Sequence, residues 1–436
     1  MAKTSGYDAV VIGAGVIGCA IALDLARRGF RTLNIDRGPA PGHGSTSWSA
    51  AIIRPYYSTI DGTALAYEAH FAWQNWLDYL GYRPESALHY HEIGCLVLEA
   101  EDNRQLSGTR AVLREVGVPF NDVTPSELPE WLPGADLRQF SPARRIDDPQ
   151  FGETAGDPIT GAIFCPTGGY VSDPQLATAQ LAHAVEQAGG HFRFAETVAA
   201  IHQSGGKITG LNTDRSGLIH ADVVINAAGP ASRWVNGLVP EAHRPDHIST
   251  RPLRQEVATI PMPQTPQGPS LRFVMTDADA GIYMRPEQSG TLLIGSLEPA
   301  CDVLEYLDSE DYETSLTDQW TNQVWRAALR FPELGIPNTA QGFAALYDVS
   351  EDWIPIYDRS DIDGYFTAVG TSGNQFKNAP LVGGLMGHLI ESVLNGSDHD
   401  REPLQFRLPV SGRDVGLAAF SRRRPINRAS SFSVLG

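Results

Sequence analysis

Apolar and polar positions near the start of the chain change from a strand-like pattern to a helical one. The run Tyr7–Ile12 is almost continuously apolar, which is typical of a strand covered on both faces of a parallel sheet. Residues 19–28 carry apolar side chains at helical spacing, and this pattern stops at Gly29. A second short apolar run covers residues 31–35. The pattern predicts a strand, a turn, a helix and a second strand, in that order.

Similar combinations of buried strands and helices recur in the middle of the chain and near its end. The helical patterns cover residues 65–80, 173–187, 315–329 and 380–394, and the strand patterns cover residues 198–201, 221–226, 281–286, 291–295 and 365–370. Strand patterns separated by polar turns dominate residues 243–329, which is typical of a mixed or antiparallel sheet. We therefore expect two lobes, one divided among three parts of the sequence and one inserted between them.

The turn after the first strand is rich in glycine, with Gly13, Gly15 and Gly18 at the spacing of a dinucleotide-binding turn. These glycines permit a tight turn, the approach of a pyrophosphate to the backbone, and close contact between helix and strand. The following helix offers N–H groups to phosphates, and Asp36 ends the second strand, where a carboxylate accepts hydrogen bonds from ribose hydroxyls. The predicted fold class is α/β: a Rossmann-like domain, discontinuous in sequence, with an inserted substrate domain built on a mixed or antiparallel sheet.

Composition limits the classes of partner and site. The chain has 436 residues and a net charge of −18, so its length suits two domains and its acidity disfavours nucleic acid and anionic membrane surfaces. No apolar run is long enough for a membrane helix, and the start of the chain lacks the pattern of a signal peptide, so we expect no membrane span and a cytoplasmic location. The four cysteines lack the spacing of a zinc site, so no metal site is predicted.

Several further segments have a distinctive order and spacing. They are residues 44–54, 224–230, 283–286, 342–348 with Pro355 and Ile356, and 370–380. Together with the glycine-rich turn, they resemble the D-amino-acid oxidase and sarcosine oxidase superfamily of FAD-dependent oxidoreductases, which includes dimethylglycine dehydrogenase and glycine oxidase-like enzymes. The resemblance implies FAD as the cofactor. It also implies an FAD-binding domain of residues 1–82, 152–235 and 340–400, a substrate domain of residues 83–151 and 236–339, and a C-terminal arm of residues 401–436.

The resemblance also assigns residues to the FAD site. It places Asp36 and Arg37 at the adenosine ribose, Val198 beside the adenine, and the loop of residues 370–377 along the flavin ring. In that loop, backbone N–H groups and Lys377 are expected to stabilise negative charge on the reduced flavin. The predicted cofactor-binding residues are Gly13, Ala14, Gly15, Val16, Ile17, Gly18, Asp36, Arg37, Gly44, Ser45, Thr46, Ser47, Val198, Ala228, Gly229, Gly370, Ser372, Gly373, Asn374, Gln375, Phe376 and Lys377.

Five residues are predicted at the substrate. Cationic side chains hold carboxylates, and an arginine binds them through two parallel hydrogen bonds. The resemblance gives this role to Arg54 and Lys377. It places Tyr347 in the active site, and it places Tyr283 and Arg285 on a segment that lines the pocket in relatives of glycine oxidase.

Three positions depart from the family pattern. Members that bind FAD covalently use a histidine where this chain has Ser49, or a cysteine where it has Ala345, so non-covalent FAD is predicted. A lysine credited with oxygen activation is also replaced, with Leu293 near its place. Oxygen and a redox partner therefore both remain open as electron acceptors.

The resemblance implies an enzyme that oxidises the C–N bond of an amino acid or N-alkylated amino acid, a secondary or tertiary amine, by hydride transfer to flavin N5. The resulting imine then hydrolyses. The main alternative is the flavin subunit of a hetero-oligomeric amine dehydrogenase, which passes electrons to a protein partner. An NAD-linked dehydrogenase would leave the loop of residues 370–377 without a role, and a non-enzymatic FAD-binding scaffold is the remaining alternative. A homo-oligomer and a hetero-oligomer are both open.

Overall fold

The computed structural model describes residues 6–100, 105–239, 242, 244, 247–266, 268–308 and 311–436. The helices within these residues are α1 (Val16–Arg27), α2 (Ile60–Gln74), α3 (Trp76–Leu80), α4 (Gln105–Val116), α5 (Leu128–Trp131), α6 (Pro174–Gln187), α7 (Ser232–Gly237), α8 (Asp318–Arg330) and α9 (Ala379–Leu394). None of these described helices combines the length and the apolar character that crossing a bilayer requires.

The strands follow the same chain order. The first half contains β1 (Tyr7–Ile12), β2 (Thr32–Ile35), β3 (Ile52–Ile53), β4 (Tyr90–His91), β5 (Cys95–Glu99), β6 (Asn121–Val123), β7 (Gly161–Cys165), β8 (Gly169–Val171), β9 (His191–Arg193), β10 (Val198–Ser204), β11 (Lys207–Thr213) and β12 (Ile219–Asn226). The second half contains β13 (Thr250–Pro261), β14 (Gln264–Thr265), β15 (Gly268–Pro269), β16 (Val274–Asp277), β17 (Ile282–Pro286), β18 (Thr291–Ser296), β19 (Glu305–Tyr306), β20 (Gly342–Ser350), β21 (Ile356–Arg359), β22 (Tyr365–Val369), β23 (Gln405–Arg407) and β24 (Asp414–Gly416).

The first sheet is mostly parallel and contains the predicted strand–helix–strand unit. Its order is β9-β2-β1-β12-β22-β21, with β21 antiparallel at one edge and the hairpin β10–β11 paired to the start of β12. Both faces of the sheet are covered, which explains the continuous apolar runs. Val11 and Ile225 pack with α1, α6 and α9, whereas Val10 and Val224 pack with the hairpin and α7.

The second sheet contains the strands predicted for the inserted lobe. Its order is β19-β13-β18-β17-β16-β5-β7-β6, and β20 pairs with the other edge of β13. Its strand pairs are antiparallel, apart from the parallel pair β5–β16, so the sheet is mixed. Helix α8 covers it through Trp320, Val324 and Ala327. The predicted fold class is confirmed.

Two strands correct the predicted domain boundaries. The prediction assigns β7 and β20 to the FAD-binding domain, through its segments 152–235 and 340–400, yet both strands pair in the second sheet. The sheet that a short apolar strand joins depends on which partner edge is nearby in the folded chain, and its own residues do not encode that choice. The first five residues of the predicted domain lie outside the described residues.

The C-terminal arm packs back onto the rest of the chain. Arg422 is buried and contacts Asp358 at 3.0 Å and Asp400 at 2.9 Å. Arg424 contacts Asp352 at 2.7 Å. These buried ion pairs hold the arm, whose last residues reach the cavity described next.

Candidate active site

A cavity of about 340 Å³ lies where the glycine-rich turn of the first sheet meets strands of the second sheet. The predicted residues that line it are Gly13, Gly15, Val16, Ile17, Asp36, Arg37, Gly44, Ser45, Thr46, Arg54, Ala228, Gly229, Tyr283, Tyr347, Gly373, Asn374, Gln375, Phe376 and Lys377. The predicted residues that do not line it are Ala14, Gly18, Ser47, Val198, Arg285, Gly370 and Ser372. Residues far apart in the sequence are thus brought to one site.

The glycine-rich turn between β1 and α1 requires glycine where the backbone approaches itself closely. Gly13 has a φ of +114°, and a Cβ there would lie 2.3 Å from the Ala227 carbonyl oxygen. A Cβ on Gly18 would lie 2.2 Å from the Gly13 carbonyl oxygen. Helix α1 then begins at Val16, and its N-cap residue, Gly15, provides no side-chain cap. Backbone N–H groups at the start of α1 therefore stand at the cavity wall, where they suit an anion.

Asp36 lines the cavity at the end of β2 and is held by two backbone N–H groups. Its carboxylate accepts hydrogen bonds from Ala14 N–H at 2.6 Å and from Gly38 N–H at 2.7 Å. A carboxylate has about four acceptor positions, so others remain for ribose hydroxyls.

The predicted segment around Ser45 connects α1 with β20. It forms a short 3₁₀-helix, Ser45–Trp48. Ser45 Oγ donates to the Leu346 carbonyl oxygen at 2.7 Å, and Thr46 Oγ1 accepts from Val16 N–H at 3.2 Å. The segment is therefore fixed between the two sheets, beside the start of α1.

The loop of residues 370–377 is held by a carboxylate that the sequence prediction does not include. Asp348 Oδ2 accepts from Gly370 N–H at 2.6 Å and from Ser232 Oγ at 3.0 Å, and the Asp348 carbonyl accepts from Ser372 N–H at 2.7 Å. Burial raises the pKa of the Asp348 carboxyl to about 6. The available signal in the sequence is an acidic residue within an apolar strand, which requires polar partners when it is buried.

The raised pKa of Asp348 predicts a change of stability with pH. Because its folded-state pKa of about 6 exceeds the usual 3.8, the protonated form is favoured by folding. Its contribution to the free energy of unfolding is complete below about pH 4 and is lost as the pH rises through about 6. Asp348→Asn resembles the protonated carboxyl and does not titrate. Between pH 4 and pH 7 its free energy of unfolding, relative to that of the unsubstituted protein, should therefore rise by up to roughly 3 kcal/mol. Thermal unfolding of both proteins measures this, and a difference that is independent of pH would contradict it.

Lys377 lines the cavity and is held by Tyr57, a residue that the sequence prediction does not assign to the site. Lys377 Nζ donates to Tyr57 Oη at 2.6 Å and to the Asn374 carbonyl oxygen at 2.5 Å. Burial, followed by the positive charge of Arg54, lowers the pKa of Lys377 well below its usual value. The amine is therefore fixed in position and releases its proton readily.

Two tyrosines of the second sheet line the same cavity. Tyr283 of β17 and Tyr347 of β20 are hydrogen-bonded to each other. Gly373 has a φ of +68°, and a Cβ there would lie 2.4 Å from the Tyr347 ring, so the loop backbone passes directly against it. Burial raises the pKa of Tyr283 to about 12 and that of Tyr347 well above its usual value. Both phenols thus stay protonated at neutral pH, and beyond the hydrogen bond between them the pair retains one O–H donor.

Arg54 lines the cavity, but the chain itself occupies much of its guanidinium. Nη1 donates to the Tyr56 carbonyl at 2.5 Å, and Nη2 donates to the carbonyls of Val434 at 2.7 Å and Leu435 at 2.8 Å. The guanidinium also lies 4.8 Å from the centroid of the Tyr57 ring. The approach of the C-terminal arm leaves no local signal in the sequence.

Arg285 lies apart from the other four predicted substrate-binding residues, which line the cavity. It shares a face of β17 with Tyr283, but it lies beyond the edge of the cavity. There it donates to the Ala50 carbonyl, pairs with Glu287 and lies 4.3 Å from the centroid of the Tyr170 ring. Its role at the substrate stays a prediction.

The other predicted cofactor residues outside the cavity wall lie behind it or beside it. Ser372 is buried and donates to the Gly370 carbonyl at 3.1 Å. Ser47 donates to the Gly44 carbonyl at 2.9 Å, and Val198 begins β10 in the first sheet. Their roles at the cofactor stay predictions.

Residues 8–389 match the family described as FAD dependent oxidoreductase, DAO. The chain belongs to this family. The predicted resemblance is thereby confirmed, and the chain is an enzyme that uses FAD. Its site lies within the matched residues, apart from the C-terminal arm.

Known members of the family resemble the chain over different lengths. It is 30% identical over 262 residues to the tRNA 5-methylaminomethyl-2-thiouridine biosynthesis bifunctional protein MnmC of Paraburkholderia phytofirmans, covering 58% of this chain and only 34% of that protein. It is 25% identical over 395 residues to glycine oxidase of Geobacillus kaustophilus, covering 89% of this chain and 94% of that enzyme. It is 22% identical over 390 residues to sarcosine oxidase subunit beta of Rhodobacter capsulatus, covering 88% of this chain and 84% of that subunit.

Solved structures show the same fold. L-proline dehydrogenase from P. horikoshii superposes with a TM-score of 0.72 at 20% identity, covering 89% of this chain and 94% of that chain. Glycine oxidase from Geobacillus kaustophilus superposes with a TM-score of 0.69 at 23% identity, covering 88% of this chain and 95% of that chain. Both solved structures thus share the fold of this chain.

The described residues fit FAD. The glycine-rich turn before α1, with its close backbone approach at Gly13, would form a cradle for a pyrophosphate, and Asp36 would accept from ribose hydroxyls. Residues 371 and 373–377 of the loop also line the cavity, and the loop would hold the flavin ring. When bound, FAD supplies the two-electron redox chemistry of the family.

Proposed function

We propose that this enzyme oxidises the C–N bond of an amino acid or N-alkylated amino acid to an imine, which hydrolyses to a carbonyl compound and ammonia or an amine. One observation carries the proposal: Arg54, Lys377, Tyr283 and Tyr347 line one cavity together with the loop that we assign to the flavin. The relatives named glycine oxidase and sarcosine oxidase subunit beta support this class of substrate.

The residues of the cavity suit a small carboxylate. Arg54 can offer a carboxylate two parallel N–H donors once the Val434 and Leu435 carbonyls release it, and the hydrogen-bonded phenols of Tyr283 and Tyr347 leave one O–H donor for a ligand. Lys377 lines the same cavity and is held in place by its hydrogen bonds to Tyr57 and to the Asn374 carbonyl. In this proposal these groups bind and orient the substrate, which is the main contribution of the protein when a cofactor carries the redox chemistry.

The charges of the site also favour the neutral form of the substrate amine. Burial in the cavity wall, followed by the positive charge of Arg54, lowers the pKa of Lys377, and both effects also disfavour a substrate ammonium in the same cavity. A bound substrate ammonium therefore loses its proton more readily here than in water. The neutral amine has the free lone pair that imine formation requires, so no additional base is needed.

A screen of amines and amino acids against the FAD-bound protein under anaerobic conditions tests the proposed function. We expect amino acids or N-alkylated amino acids to bleach the flavin absorbance, because reduction removes the oxidised flavin bands. Amines that correspond to these amino acids but lack the carboxylate should bleach the flavin absorbance much more slowly. If none of these compounds bleaches the flavin, the proposal is wrong.

We further propose that FAD is held without a covalent bond. The positions at which relatives form that bond carry Ser49 and Ala345 here, and both residues line the cavity. An alanine has no nucleophile, and the Ser49 hydroxyl already accepts from Ala51 N–H at 3.0 Å.

A second candidate function is that of a flavin subunit that passes electrons to another protein. The relative named sarcosine oxidase subunit beta supports it, since that name identifies one subunit of an assembly. Leu293 lies in β18, is buried and does not line the cavity, so it supplies no charge for oxygen activation. Turnover with oxygen compared with turnover using an artificial acceptor distinguishes the two functions, and fast turnover with oxygen would exclude this candidate.

A further inference from the structure

We propose that residues 430–436, here called the tail segment, compete with a substrate carboxylate for Arg54 and so control access to the active site. The tail segment follows an anchored part of the arm, in which Arg424 contacts Asp352 at 2.7 Å. The inference rests on the proposed function only because it assigns Arg54 to a carboxylate.

The competition concerns a single nitrogen atom. Arg54 Nη2 carries two hydrogens, and it donates to two carbonyl oxygens of the tail segment, those of Val434 at 2.7 Å and Leu435 at 2.8 Å. Arginine binds a carboxylate through two parallel hydrogen bonds, which pair Nη2 with either Nη1 or Nε. Both arrangements need a hydrogen of Nη2. A carboxylate therefore reaches the two-bond arrangement only after a tail carbonyl releases Arg54.

The tail segment also forms part of the cavity wall. Val434 and Leu435 both line the cavity. Val434 N–H donates to the Glu298 carboxylate at 2.8 Å, and Leu435 packs against the apolar cluster that contains Tyr56. Movement of the tail segment would therefore free Arg54 and open the cavity in the same step.

The segment contains its own control position. Phe432 is 41% exposed, whereas Leu435 packs against the protein interior. Replacing Leu435 with alanine should loosen the tail segment, because the change removes apolar packing of its side chain. Phe432 packs in none of the apolar clusters of the described residues, so replacing it with alanine should leave the contacts of Arg54 in place.

The first test removes residues 430–436 from the FAD-bound protein and titrates it with acetate, a carboxylate probe, and with acetamide, a neutral probe of similar size. Binding is read from the change in flavin absorbance. We expect acetate to bind the truncated protein at least about tenfold more tightly than the full chain, because the competing carbonyls are gone, and acetamide to change less than about threefold. Equal acetate affinities, no acetate binding to either protein, or an equal gain for acetamide would overturn the proposal.

The second test keeps the full chain and therefore does not depend on how the truncated protein folds. Leu435→Ala should tighten acetate binding about threefold, and Phe432→Ala should leave it unchanged. If Leu435→Ala binds acetate no more tightly than Phe432→Ala, the tail segment does not compete for Arg54.

Adding Arg54→Ala to the truncated protein separates this inference from the proposed function. The gain in acetate binding should then disappear, and a gain that persists would contradict competition at Arg54. Should acetate behave as expected while no amine or amino acid bleaches the flavin, the proposed function fails and the role of the tail segment stands. If amino acids bleach the flavin while truncation leaves acetate binding unchanged, the proposed function stands and the role of the tail segment is wrong.

Discussion

Replacing Gly15 with valine is expected to give a folded protein that no longer binds FAD. Gly15 lines the cavity at the start of α1, and a Cβ there would already lie 3.2 Å from Thr46 Oγ1. The two further methyl groups of valine would occupy the space that a pyrophosphate needs beside the backbone. The backbone itself tolerates the change, because Gly15 has an extended conformation with φ −71°. The purified variant should therefore be colourless, whereas the unsubstituted protein should carry flavin absorbance.

Gly335→Val is the matched control for this experiment. Gly335 is exposed, and no atom lies within 4 Å of a Cβ built there, so the substitution should leave FAD bound. Circular dichroism checks that both variants are folded. Acid precipitation of the unsubstituted protein should release its flavin into the supernatant, as non-covalent attachment requires. A yellow Gly15→Val protein would contradict our placement of the pyrophosphate.

Replacing Arg54 with alanine is expected to weaken the use of a carboxylate substrate by roughly 10- to 150-fold in kcat/KM, while FAD stays bound. Hydrogen bonds to a charged group contribute about 1.5–3 kcal/mol, and the ratio of kcat/KM values converts directly to this free energy. We expect the change mainly in KM, since the carboxylate takes no part in the hydride transfer itself. Steady-state kinetics with an amino acid identified in the amine screen measures the effect.

Two comparisons show whether the effect belongs to the carboxylate. Arg54→Lys keeps the positive charge but loses the planar pair of donors, so its KM should lie between those of the unsubstituted protein and Arg54→Ala. An amine substrate without a carboxylate should have nearly the same KM in all three proteins. Unchanged kinetics for the amino acid in Arg54→Ala would remove Arg54 from the substrate site.

The features that the sequence predicts well are those that follow from local physical chemistry. The glycines between β1 and α1 are required where the backbone approaches itself, as the 2.3 Å distance from a Cβ on Gly13 to the Ala227 oxygen shows. The apolar run of β1 reflects burial on both faces of a parallel sheet. Such requirements act within a few residues, so a single sequence displays them.

The features that it misses depend on contacts between distant residues. Arg285 and Tyr283 share a face of β17, and only the extent of the cavity separates the residue that lines it from the one paired to Glu287. Asp348 becomes important because Gly370 folds against it, with a hydrogen bond of 2.6 Å. Its own neighbours in sequence carry no sign of that partner.

The sequence by itself therefore determines the α/β class, the dinucleotide-binding turn and, through its resemblance to a family, the use of FAD. Only the tertiary structure decides that β7 and β20 belong to the second sheet, and that the carbonyls of Val434 and Leu435 occupy Arg54. The physical reason is the range of the interactions involved. Backbone sterics and apolar periodicity act locally along the chain. Strand pairing and the partners of a buried charge depend instead on residues that are distant in sequence and lie close together only in the folded chain.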